Sequence, residues 1–323
     1  MDKIKNQNLF YFHKNNLKKK QFTKICNSFK FLLILIFHIL FKETYEQFKI
    51  RIIAKNEIII HCAKNNGFCN ASCHSNECNS HLCNLTITFD NFVESCINMF
   101  NGLDNIIEID LSNFDTSKVT NMAEMFSGCS NLGKIIFGNI NTSSVKRMNL
   151  LFHGCSKLKT IDISNFDTSS VTDMYGMFSN CEILTSINVS NFNTQNVENM
   201  FAMFSDCHNL TSLNLSNFDT SKVQNMQKMF SGNNELTHLD LSNFNISSVT
   251  NMKYMFKQSN FLYLNLYSFV IKSGTEIDLI LENTPSELKI CINDLNTRNL
   301  LTSYRKEFDC SDVCINKNLK IDS

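Results

Sequence analysis

Chemistry in this chain would fall first to its 14 cysteines and 8 histidines, and spacing divides them into two sets. The first is crowded into HCAKNNGFCNASCHSNECNSHLC, which gathers Cys62, Cys69, Cys73, Cys78 and Cys83 among His61, His74 and His81. Thiolate and imidazole are zinc ligands, but structural zinc sites favour cysteines separated by two residues, and no C-x2-C pair occurs here. A zinc-binding module is the lesser alternative. The expectation is a disulfide-knit collar, which requires export to an oxidising compartment. With Cys96 the candidates number six, and six cysteines allow about fifteen pairings that sequence does not separate. Cys310 and Cys314 form a further candidate pair, leaving Cys291, which sits in an apolar run, unpaired.

The second set is Cys129, Cys155, Cys181 and Cys207, each 26 residues from the last. Asn233 and Ser259 stand at the next two equivalent positions, so a metal-ligand role is not expected. Small buried side chains with free thiols are. His153, His208 and His238 occupy non-equivalent places in the same period. The chain has no H-E-x-x-H, P-loop, G-x-S-x-G or G-x-G-x-x-G string. No catalytic residue, metal site or cofactor is expected, and the chain reads as a non-enzyme. A column of Asp115, Asn141, Asp167, Asn193, Asp219 and Asn245 carries too few carboxylates to favour calcium. Net charge is zero, which gives no field for nucleic acid.

The 26-residue period is the element that positions everything else. It runs through six copies, with Phe126, Phe152, Phe178, Phe204, Phe230 and Phe256 in register. A period of this size marks a solenoid, each unit burying its apolar face against its neighbours. Within a unit, Leu158, Ile161 and Ile163 alternate with polar residues, as a half-buried strand does. The Asn/Asp/Ser/Thr-rich string SNFDTSS then reads as a turn. Val171, Met174, Met177, Phe178 and Cys181 follow at three- and four-residue steps, which predicts a short amphipathic helix with Asp173 or Asn121 as N-cap. The recurrent Asn113, Asn139, Asn165, Asn191, Asn217 and Asn243 predict a ladder of amide hydrogen bonds along the turn. The fold class expected is an α/β repeat, a leucine-rich-repeat solenoid with a parallel sheet on one face and short helices on the other.

The string NF(D/N)TSxVTNMxxMFxxC resembles the repeat of BspA-type leucine-rich-repeat surface proteins, including the repeats of mycoplasma-type surface lipoproteins. That resemblance covers roughly residues 85 to 270. It implies surface exposure and adhesion or protein binding, with no shared catalytic residues. The ligand-binding surface is then expected on the exposed strand face, at Glu108, Asp110, Lys134, Thr160, Asp162, Asn188, Asn214, His238 and Asp240. This face is small, polar and weakly acidic, which suits a weak or multivalent contact to a protein or glycan ligand. An intracellular repeat scaffold with reduced cysteines is the competing reading.

The ends complete the plan. Residues 1–30 carry eight lysines against one acid, Asp2, and lead into FLLILIFHILF, Phe31 to Phe41. Eleven apolar residues fall short of a bilayer span of about 20 but match a signal-peptide core. The chain is expected to be secreted or held at the cell surface, with membrane association through that N-terminal segment. Residues 42–84 form a linker and Cys-rich N-terminal cap, 85–271 the solenoid and 272–323 a C-terminal cap. In the last of these, LKICIND reads as a closing strand and LNTRNLLTSYRKEF as a short helix.

Overall fold

A computed structural model of the chain describes residues 48–55, 59–64, 67–72, 78–79, 82–89, 92–304 and 308. It contains short strands in three small sheets and very little helix. Strands β1 (Phe48–Lys55), β4 (Cys78–Asn79), β5 (Leu82–Phe89), β6 (Ile106–Asn113) and β7 (Lys134–Ile136) form one sheet, ordered β4-β5-β1-β6-β7. Strands β8 (His238–Asp240), β9 (Tyr263–Asn265) and β10 (Lys289–Cys291) form a second. Strands β2 (Ile59–Lys64) and β3 (Gly67–Ser72) pair only with each other among the described residues.

Pairing within the repeats is parallel and keeps the period. Ile109 lies against Ile135, Leu239 against Leu264, and Leu264 against Ile290. Ahead of them the hand changes: β1 runs antiparallel to both β5 and β6. An exposed parallel edge would recruit other chains, and β1 covers that of β6. Strand β5 crosses the expected boundary at residues 84–85.

The interior is a stack of Phe rings. Phe100, Phe126, Phe152, Phe178, Phe204, Phe230 and Phe256 lie 5.5–6.0 Å apart, centroid to centroid, with planes within 14° of parallel. Around them the Met122-to-Met252 and Val119-to-Val249 columns are buried. Offset stacking adds to the area that each ring removes from water.

The expected helices are absent. The only α-helix among the described residues is α1 (Leu295–Leu301), N-capped by Asp294, which accepts from the Thr297 N–H at 2.7 Å. The segments carrying the three-and-four spacing are turns whose N–H groups alternate in destination. Met122, Glu124, Phe126 and Gly128 donate to carbonyls of the next repeat, at Arg147, Asn149, Leu151 and His153. Met125, Ser127 and Cys129 donate instead to residues three back. A helix needs right-handed φ throughout, whereas here Glu124, Leu150, Gly176, Ala202, Lys228 and Tyr254 all lie at φ between 51° and 60°. A second left-handed column follows four residues on, at Gly128, Gly154, Asn180, Asp206, Gly232 and Gln258. Each non-glycine position costs about 1–2 kcal/mol, offset by hydrogen bonds that tie one repeat to the next. Asp173 accordingly caps no helix, and its Oδ1 accepts from the Tyr175 N–H to close a local turn. The expected closing strand and C-terminal helix are both present, as β10 and α1.

Candidate ligand-binding face

The expected residues recur at equivalent positions of successive repeats, on strands β6, β7 and β8 at Glu108, Asp110, Lys134, His238 and Asp240 and outside any strand at Thr160, Asp162, Asn188 and Asn214. Lys134, Thr160, Asp162, Asn188, Asn214, His238 and Asp240 are exposed, while Glu108 and Asp110 are half-buried. Alternation accounts for this, because Ile109 and Leu239 on strands β6 and β8, and Ile163, Val189 and Leu215 in repeats where no strand forms, are buried in the core. Glu108 accepts an ion pair from Lys134 at 3.3 Å.

The acidic and amide side chains here are held by their own backbone. The Oδ1 atoms of Asp110, Asp162, Asn188, Asn214 and Asp240 accept from the N–H groups of Ser112, Ser164, Ser190, Ser216 and Ser242 at 2.8–3.0 Å. The Ser164 hydroxyl also donates to Asp162 at 2.7 Å, and this bond holds the carboxyl below the ordinary aspartate range. Asp162, Asn188, Asn214 and Asp240 thus present polar groups at the surface in an orientation fixed beforehand. At the C-terminal end the polar rows give way to rings: His238 lies 6.2 Å from Tyr263, and Tyr267 is 44% exposed.

Beside the face, two ladders fix the turn, an exposed one of asparagines and a buried one of threonines. The Nδ2 groups of Asn191, Asn217 and Asn243 donate to carbonyls one repeat back, at Phe166, Phe192 and Phe218. Over these three repeats the expected amide ladder therefore runs from side chain to backbone, while Asn165 donates to the Gly138 carbonyl instead. Beside it, Thr116, Thr142, Thr168, Thr194 and Thr220 each donate to a carbonyl and accept from the N–H of the same residue in the next repeat. Sequence shows this threonine only as one more turn residue. Its burial is the signal that it is a structural rung.

The cysteines separate as follows. Cys129, Cys155, Cys181 and Cys207 are free thiols buried in the core, and each donates to the carbonyl of a Phe 29 residues back, at 3.1–3.2 Å. Asn233 and Ser259 make the same bond, at 3.0 and 2.7 Å. Burial pushes the Cys129 and Cys207 thiols up to about 12, which keeps the donor proton in place. Cys96 and Cys291 are buried. Cys73, Cys310, Cys314 and the apolar segment from Phe31 to Phe41 lie outside the described residues. Backbone register sets Cys62 opposite Cys69 and Cys78 opposite Cys83. No helix among the described residues is long and apolar enough to cross a membrane, and none of their Cys, His, Asp and Glu side chains cluster as metal ligands do.

A family model described as Mycoplasma protein of unknown function, DUF285, matches residues 94–210 and again residues 173–294. The two matches together span most of the chain. The chain belongs to the DUF285 family. No curated protein and no solved structure matches it. The DUF285 match begins within the first stacked turn, at Glu94, and ends at Asp294, the cap of α1. It therefore takes in all nine residues of the face together with the threonine and thiol ladders behind them.

Other surface features of the DUF285 region lie away from the strand face. Tyr175 and Phe201 pair at 4.9 Å, and Lys228 and Lys257 both sit over the Tyr254 ring. An open polar hollow of about 370 Å³ is lined by Gln224, Asn225, Thr250, Asn251, Gly274 and Glu276. Asn225 and Asn251 spend their Oδ1 atoms on local turns there.

Proposed function

We propose that this is a non-enzymatic recognition or adhesion protein, built as a BspA-type leucine-rich-repeat solenoid and displayed outside the cytoplasm. Its ligand, a protein or a glycan, engages the exposed strand face. The observation that carries this reading is the row of Asp162, Asn188, Asn214 and Asp240, exposed one per repeat and pinned by backbone bonds. Polar groups held in fixed orientation at a regular spacing lose little entropy on binding and suit a repeating ligand. Each contact is weak on a face without Trp or Arg, so several must act together.

The test is binding of the whole protein, immobilised, to a glycan array and to surface proteins of candidate host cells. A variant carrying Asp162→Ser, Asn188→Ser and Asn214→Ser keeps a turn-forming oxygen at each site. It should lose binding tenfold or more. A control carrying Lys146→Ala, Glu198→Ala and Gln224→Ala, exposed on a different side, should bind as the natural chain does. Equal loss in both, or no loss in the first, rules the face out. Protease digestion of intact cells tests display, which predicts cleavage without lysis.

A further inference from the structure

We infer that the N-terminal collar is closed by two local disulfides, Cys62–Cys69 and Cys78–Cys83. Of the six cysteines expected to pair, these four are the ones that strand register sets directly opposite one another. In β2–β3 the register runs from Ile59 opposite Ser72 to Lys64 opposite Gly67, with Cys62 opposite Cys69. In β4–β5 it holds two residue pairs, Cys78 with Cys83 and Asn79 with Leu82. Directly opposed residues of antiparallel strands have Cα atoms about 4.5–5.5 Å apart, inside the window of about 4.4–6.8 Å that a disulfide spans.

The two pairs also fall on short strand pairings. Among the described residues β2 and β3 form a two-stranded sheet, and a sheet of two strands is marginal in water on its own. Strand β4 is two residues long at the edge of its sheet. By contrast β1 pairs with β5 over eight residue pairs, and none of those joins two cysteines. The proposed links join a two-stranded sheet and a two-residue edge strand, and they do so whichever ligand the exposed face binds.

The chemistry needs an oxidant, and a low-molecular-weight disulfide such as oxidised glutathione supplies it. The Cys62 thiolate attacks one glutathione sulfur and expels the other as a thiolate. The Cys69 thiolate then displaces the first glutathione from the mixed disulfide. Two protein thiols become one disulfide, and one oxidised glutathione becomes two thiols; Cys78 and Cys83 react in the same way.

The experiment equilibrates the full chain in a glutathione buffer, quenches it in acid, and maps linked peptides by mass. Trypsin cuts after Lys64, between Cys62 and Cys69, and pepsin cuts at Leu82, between Cys78 and Cys83. Both pairs should appear as linked peptides, and the chain should lose four hydrogens in the collar. Replacing Cys62 and Cys69 together by Ser should leave the Cys78–Cys83 link intact, and the reverse double variant should leave Cys62–Cys69. Links between the two pairs, or links to Cys73 in place of these, overturn the inference. So do collar thiols that stay alkylatable in the oxidising buffer, and thiols that become protected only when zinc is added.

Discussion

Replacing Cys181 distinguishes a position chosen for sulfur from one chosen for a hydrogen-bond donor. Its thiol donates to the Phe152 carbonyl at 3.2 Å, and that carbonyl also accepts from the Cys155 N–H at 3.1 Å. Cys181→Ala removes the thiol bond, a net loss of about 1 kcal/mol. It also removes one buried heavy atom and leaves a small cavity, worth about another 1 kcal/mol. Because the carbonyl keeps its backbone partner, no larger penalty for an orphaned group applies, and alanine should cost about 2 kcal/mol. Cys181→Ser keeps the donor, as Ser259 does at 2.7 Å from the Phe230 carbonyl, and loses only the sulfur packing. Serine should cost about 1 kcal/mol. The assay is urea unfolding of the full chain, with hydrogen exchange at the Phe152 and Phe178 amides to confirm that the loss is local. At a slope of about 2.5 kcal/mol per M the two variants separate by roughly 0.4 M in midpoint. A serine variant no more stable than the alanine one refutes the donor argument and returns the column to simple apolar packing.

Three further outcomes follow from the same geometry. Thr168→Val strips both partners from the Asn193 backbone and should cost about 2–3 kcal/mol in urea unfolding, against under about 0.5 kcal/mol if the rung is ornamental. Gly138→Ala should be about 2 kcal/mol more damaging than Gly102→Ala: both have positive φ, but a Cβ at 138 meets the Ser112 Cα at 2.6 Å and one at 102 meets nothing within 4 Å. Equal midpoints would show that the turn shifts freely. The buried thiols make stability fall in alkali: the unfolded chain ionises above 9.0, whereas Cys129 and Cys207 hold their protons to about 12. Their contribution is complete below pH 9 and drains between pH 9 and 12, so the urea midpoint should drop between pH 8 and 10.5, and less in a Cys129→Ser, Cys207→Ser variant.

Much of the stack is legible in the sequence because its core is periodic. The Phe, Met and Val columns and the strand beginnings at Ile109, Ile135 and Leu239 occupy the places that their spacing dictates. The helix is not there because two geometries share one spacing. Turns closed three residues back and a helix closed four back both turn Met174, Met177, Phe178 and Cys181 inward. What separates them is the sign of φ at Leu150, Ala202 and Tyr254, and none of these residue types announces a left-handed backbone. A cue does exist one turn later, where Gly128, Gly154, Asn180, Asp206 and Gly232 are all types that tolerate positive φ. On the strand face, the outward positions are legible from alternation, but their turn bonds are not. Asp162 and Ser164 read from alternation as strand residues, but no strand forms there and a local turn brings them together.

The two cysteine sets answer to different physics, and the element that carries each set decides which. In the repeats, the backbone offers a Phe carbonyl at a fixed place in a dry core, and any small side chain with a proton to give will serve. That is why Cys207 gives way to Asn233 and then to Ser259 without breaking the column. The desolvation that makes a thiol acceptable there also suppresses the thiolate through which it would oxidise or bind metal. In the collar the cysteines stand opposite one another across paired strands instead. Strands β2 and β3 are six residues long and β4 two, and there the sulfur itself would act, through the covalent bonds inferred across Cys62 and Cys69 and across Cys78 and Cys83, to tie short strands together.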